Sequence, residues 1–144
     1  MNDPLSQASL SQPSLSQPSR SAYAKVEPYV TRDGSLIREL MHPSVHGNHL
    51  QSLAEAIVPA GGSTVLHRHR LSEEIYHFTR GQGRMRVGDD TFEVTAGDTV
   101  CIPPGAAHRL VNTGGTEMRL LCACTPPYAH EDTELLEGGP PHEA

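Results

Sequence analysis

The chain has no tryptophan and only two phenylalanines and four tyrosines in 144 residues, so aliphatic side chains, not an aromatic cluster, have to supply its core. Basic residues are not in excess either. Eleven Lys and Arg against seventeen Asp and Glu leave a formal charge of -6 and a pI near 5.8. Binding to phosphate backbones or anionic lipid surfaces draws on a basic stripe, which excludes nucleic acid as an expected partner. No run approaches the ~20 consecutive apolar residues of a membrane span, and the stretch Met1 to Arg20 lacks the apolar centre of a signal peptide. A cytoplasmic protein with no membrane contact is expected. Three cysteines, Cys101, Cys122 and Cys124, are an odd number, and the last two are spaced so that a strand points both to one face. No disulfide framework is expected from them.

What the chain does have is histidine, nine of them, with thirteen glycines and twelve prolines. Its first twenty residues carry a five-residue repeat, Leu5 to Ser9, Leu10 to Ser14 and Leu15 to Ser19, too polar to bury itself. Residues 1–22 are therefore expected to form a flexible tail and 137–144 a second one, leaving residues 23–136 as a single domain. Within it short apolar runs alternate with turn residues, the pattern of an all-β sandwich or barrel. Strands are expected at Leu36 to Met41, Gln51 to Val58, Thr64 to His69, Ile75 to Thr79 and Gly83 to Val87. Further strands follow at Thr91 to Val94, Thr99 to Ile102, His108 to Asn112 and Met118 to Cys124, and one helical turn within His130 to Leu136. Alternation along these strands turns Met85 and Val87 inward and leaves Arg84, Arg86 and His77 outside.

One constellation carries chemistry. Gly61, His67, His69, Glu74 and Gly81 form a first block, and Gly97, Pro103, Gly105, His108 and Asn112 a second, beginning sixteen residues after the first ends. Two imidazoles two residues apart share one face of a strand, a carboxylate starts the next strand, and an antiparallel return can bring His108 opposite them. Imidazole nitrogen and carboxylate oxygen suit a divalent transition ion without any soft thiolate, with Fe or Mn expected first and Zn, Ni or Cu also admissible. The glycines and the Pro103-Pro104 pair aim these side chains, and Asn112 serves a turn.

These two blocks make the chain resemble the cupin superfamily, over roughly Glu27 to Leu136. The resemblance implies a double-stranded β-helix, the jelly-roll β-barrel, with the metal inside. Carried across residue by residue, the family's ligands fall on His67, His69, Glu74 and His108. The short gap between the blocks is similar to that of compact single-domain members.

Function is open within that family, because one ligand set serves many reactions. The leading expectation is a dioxygenase-type metalloenzyme with a three-His, one-Glu site acting on a small carbonyl or enol-type ligand. The alternatives are redox-neutral isomerisation, decarboxylation or lyase chemistry, and a non-catalytic binding module for a small organic acid or sugar. Tyr76 and Glu55 are the candidate catalytic residues, Tyr76 because it shares the face of Glu74, Glu55 on the expectation that it points into the barrel. His42, His46 and His49 precede the barrel and are candidates for capping its mouth, while Cys122 and Cys124 are expected to form a soft wall with Met118 and Leu120. A homodimer is expected, with Leu36 to Met41 crossing onto the partner.

Overall fold

The computed structural model describes residues 18–137, so the repeat-bearing segment and most of the expected second tail lie outside the described residues. Eleven strands form two antiparallel sheets. They are β1 (Tyr29–Val30), β2 (Leu36–Met41), β3 (Ser52–Val58), β4 (His67–His69), β5 (Glu73–Arg80), β6 (Gln82–Val87), β7 (Asp90–Thr95), β8 (Thr99–Ile102), β9 (His108–Asn112), β10 (Met118–Thr125) and β11 (Thr133–Leu135). One sheet runs β1-β2-β3-β10-β5-β8 and the other β11-β4-β9-β6-β7. This is the all-β jelly roll that the resemblance implies. A one-turn helix α1 (Pro43–His46) and 3-10 turns at Tyr23–Lys25 and His130–Asp132 complete the chain. Among the described residues no helix is long and apolar enough to cross a membrane.

The nine expected strands are all present. β1 and β11 are additions too short to leave a pattern of their own. The expected strand from Thr64 narrows to His67–His69: Thr64 N donates to the Leu110 carbonyl, but Leu110 N donates back to the Thr64 hydroxyl and not to a backbone carbonyl. The His130 region divides into the 3-10 turn and β11. Within the chain, β2 pairs with β1 on one side and β3 on the other.

Side-chain size is graded along the inner face of the larger sheet. Paired across β3, β10 and β5, one row reads Ser52, Cys124, Glu74; the next Ala54, Cys122, Tyr76; the third Ala56, Leu120, Phe78; and Val58 stands opposite Met118. Small side chains at one end leave a hollow, and large ones at the other close it. Phe78, Met85, Leu110, Met118 and Leu120 are all at most 1% exposed and form the solid end. The hollow opens where β4, β5 and β9 bring the histidines together.

Gly83 shows how tightly the solid end is built. A Cβ at this position would sit 2.2 Å from Met118 Cε and 2.5 Å from the Val111 carbonyl oxygen. The methionine tip can turn away, but the β9 backbone cannot. Gly83→Ala is therefore expected to destabilise the protein by roughly 1–3 kcal/mol, whereas Gly115→Ala, where an added Cβ meets nothing within 4 Å, should move stability by under ~0.5 kcal/mol. Urea denaturation followed by circular dichroism, comparing both with the parent chain, measures the difference.

Candidate metal centre

Strand parity alone brings three imidazoles together. His67 and His69 are the inward residues of β4, and His108 opens β9 directly opposite His67. One nitrogen from each ring lies within 4.8 Å of the other two. All three residues are at most 4% exposed. Glu74 is buried beside them on β5, its Oε1 3.2 Å from His69 Nε2 and 3.3 Å from His108 Nε2.

The other nitrogen of each ring is already committed. His67 Nδ1 donates to the Val65 carbonyl at 2.7 Å, and His108 Nδ1 donates to the Ala106 carbonyl at 2.9 Å. His69 Nδ1 donates at 3.0 Å to Thr133 Oγ1, whose hydroxyl hydrogen goes to the Ala129 carbonyl. A carbonyl can only accept, so it holds the ring hydrogen on Nδ1 and leaves a lone pair on Nε2. The three ring nitrogens converge on one another, and those of His69 and His108 also face the Glu74 carboxylate, itself an acceptor. His108 Nε2 is a buried nitrogen without any hydrogen-bond partner, an arrangement that costs free energy unless a proton or a cation lies between the groups. The three imidazoles, each oriented from behind, thus fit a divalent transition ion, with the Glu74 carboxylate beside them.

The pKa shifts follow the same geometry. Burial opposes charge on Glu74, but the His108 and His69 imidazoles standing against it more than reverse this and hold the carboxyl far below its usual range. For His69, burial favours the neutral ring, and the adjacent Glu74 carboxylate overcomes this and raises the pKa. Burial, with the neighbouring His108, pushes His67 down to about 4.

The hollow has a volume of about 50 Å³, room for a few waters or one very small molecule. Among the described residues no Lys or Arg lines it. Tyr76 does, with its ring centroid 6.0 Å from that of His108, and its hydroxyl makes no hydrogen bond among the described residues. Burial keeps this phenol neutral by raising its pKa well above the ordinary value. Cys122 and Cys124 form the expected soft wall. Cys124 Sγ donates to Glu74 Oε2 at 3.1 Å, and burial together with that carboxylate pushes its pKa up, so the thiol steadies Glu74 as a hydrogen-bond donor.

Glu55 does not reach the hollow. The inward parity of β3 is Ser52, Ala54 and Ala56, which puts Glu55 on the outer face with Leu53 and Ile57. There it accepts from the Tyr23 hydroxyl and lies 3.8 Å from Arg38 and 3.7 Å from Arg119. His42, His46 and His49 do not line the hollow either: His42 caps α1 by accepting from Ser44 N, and its Nε2 donates to the Tyr128 carbonyl at 2.7 Å. Arg84, Arg86 and His77 lie outside as expected, with Arg84 2.9 Å from Glu93 and His77 against Thr99.

Three residues near the site had not been anticipated. Thr133 on β11 supplies the acceptor for His69, Tyr128 lies edge-on to His69 with ring centroids 5.7 Å apart, and Asp33 places Oδ2 3.6 Å from His67 Nε2. In the sequence Asp33-Gly34 carries only the signature of a turn, and β11 is too short to show a period.

Comparison with known proteins agrees with this architecture. The family model for the cupin domain matches residues 54–124, and the chain belongs to the cupin superfamily. It is 51% identical over 118 residues to an uncharacterized protein of Methanocaldococcus jannaschii, covering 82% of this chain and 94% of that one. It is 31% identical over 86 residues to the oxalate-binding protein of Thermotoga maritima, covering 60% of this chain and 67% of that one. The structure of Lactobacillus farciminis oxalate decarboxylase in complex with formate superposes with a TM-score of 0.68 at 24% identity, over 78% of this chain. This chain spans 34% of that enzyme's length, so the likeness concerns the barrel fold.

His67 makes stability depend on pH with a definite sign. Unfolded, its ring takes a proton as pH falls through about 6.5; folded, it resists until about 4. The unfolded state binds more protons across that window, so stability is lost as pH falls through it. The denaturation midpoint of metal-free protein is expected to drop over this range, and His67→Asn should flatten the slope. An equally steep slope in that variant would remove His67 as its source.

Proposed function

We propose that this chain is a divalent-metal-dependent enzyme of the dioxygenase type, holding Fe or Mn through His67, His69, Glu74 and His108 and acting on a small oxygen-donor molecule. The observation that carries the reading is the convergence of three Nε2 lone pairs, each ring anchored through Nδ1, with His108 Nε2 left unpartnered. When bound, the ion supplies Lewis-acid polarisation and, for Fe or Mn, electron exchange with dioxygen. The protein's part is to hold the three rings in one tautomer, to steady the Glu74 carboxylate through Cys124, and to exclude all but small molecules from a hollow of about 50 Å³.

Tyr76 is the group available to move a proton. Its neutral hydroxyl faces the hollow without a protein partner, which suits a donor to a bound substrate oxygen. Redox-neutral decarboxylation is the second reading, favoured by the oxalate-related names of the Thermotoga and Lactobacillus proteins and by the size of the hollow, which admits a two-carbon acid.

Metal content tests the centre, and turnover separates these readings from a binding module. Elemental analysis of protein purified without added metal should return one equivalent of Fe or Mn, and His108→Ala should weaken that metal by at least ~10-fold. Consumption of dioxygen with small hydroxy-carbonyl substrates supports the dioxygenase reading, and turnover under argon supports the second. Tyr76→Phe should keep the metal and lower turnover by about 10²-fold or more. Full turnover in that variant would remove Tyr76 from the chemistry.

A further inference from the structure

A second carboxylate stands against the histidine triad. Asp33 lies in the turn between β1 and β2, where Gly34 takes φ 93 and Thr31 N donates to the Ser35 carbonyl. Ser35 N and Ser35 Oγ both donate to Asp33 Oδ1, at 3.0 and 2.6 Å. The Asp33 carbonyl accepts from Val65 N at 2.8 Å, which ties the turn to the same residue that anchors the His67 ring. The side chain is 12% exposed and lines the hollow. Its orientation is therefore built in by the turn.

Asp33 Oδ2 makes no hydrogen bond among the described residues and faces His67 Nε2 at 3.6 Å. Glu74 Oε1, by contrast, stands against His69 and His108. Both atoms of the Asp33–His67 pair are acceptors, since the ring hydrogen of His67 is given to Val65. Among the described residues no hydrogen lies between them, and no Lys or Arg lines the hollow to offset the charge. A molecule entering beside His67 meets an acceptor with nothing donated to it.

We propose that Asp33 is the specificity-determining residue of the centre: it selects small oxygen ligands that keep an O–H hydrogen beside the coordinating atom, and it rejects dianions of the same size. The inference deepens the metal-binding reading and rests on it. An α-hydroxy acid or an enol can place its hydroxyl hydrogen on Oδ2 while its oxygens face the ion. An oxalate dianion of equal reach has no hydrogen to give and sets negative oxygen against negative oxygen in a nearly closed cavity, where such repulsion is weakly screened.

Glycolate and oxalate make a matched pair, each with two carbons and the same chelate size, differing in the O–H and in charge. Their affinities for the Mn(II)-loaded full chain are measured by isothermal titration calorimetry at neutral pH, for the parent and for Asp33→Asn, which preserves the turn's acceptor. The oxalate-to-glycolate affinity ratio should rise at least ~10-fold in the variant, with Mn(II) stoichiometry retained. Asp33→Ala is expected to shift the ratio in the same direction and serves if the Asn variant does not fold. An unchanged ratio with the metal retained overturns the inference while leaving the metal centre standing. Loss of Mn(II) from both variants also overturns it, by making Asp33 a ligand. A parent chain that binds no divalent transition ion overturns both readings.

Discussion

The hydrogen bonds behind the imidazoles are the constraint on which the site depends. His67 and His108 each donate Nδ1–H to the carbonyl two residues earlier in the chain, a local bond that needs only the approach of an extended segment into a strand. His69 reaches the same end through Thr133. With those hydrogens committed, the rings present bare nitrogens to one point, and the interior becomes electrostatically incomplete. The raised pKa of His69 and the depressed pKa of Glu74 both express that incompleteness: without a cation, the only available relief is a proton placed between ring and carboxylate.

Where this point falls in the barrel is decided by side-chain size. The rows from Ser52, Cys124 and Glu74 to Val58 and Met118 fill the space between the sheets progressively. Phe78 and Met118 close the far end and make it rigid, while serine, alanine and cysteine leave about 50 Å³ open at the near end. Stability and function are thus divided along the strands. The closed end contributes most of the apolar burial, and the open end tolerates buried polar groups because each is tied by a hydrogen bond or awaits an ion.

Much of this was legible in the sequence. Period-two alternation placed nearly every long strand, and it correctly turned Met85 inward and Arg84, Arg86 and His77 outward. Spacing alone assembled His67, His69, Glu74 and His108 into one cluster. Glu55 was misplaced because β3 carries apolar residues on both faces: Leu53 and Ile57 read as a core stripe, while the true inward stripe is the small residues Ser52, Ala54 and Ala56. Asp33 and Thr133 were illegible for a different reason. Each reaches the site from a turn or a three-residue strand at a distance in sequence, and its placement depends on tertiary contacts such as the bond from Val65 N to the Asp33 carbonyl. The short helix α1 did leave a mark, with a proline at its start and Gly47 at its end, but one turn is too brief to show a period.

The two carboxylates give the centre an asymmetry that its three imidazoles alone would lack. Glu74 is buried and steadied by a thiol, and Asp33 is held by a turn with one oxygen free. All of this presupposes that the imidazoles keep their hydrogens on Nδ1, and long-range proton–nitrogen correlation NMR of the histidine rings in metal-free protein tests that claim most directly. The account predicts that His67 and His108 carry hydrogen on Nδ1 with Nε2 bare, and that their Nε2 resonances are the ones displaced when Zn(II) is added. Rings carrying hydrogen on Nε2, or Nε2 resonances indifferent to the ion, would contradict it.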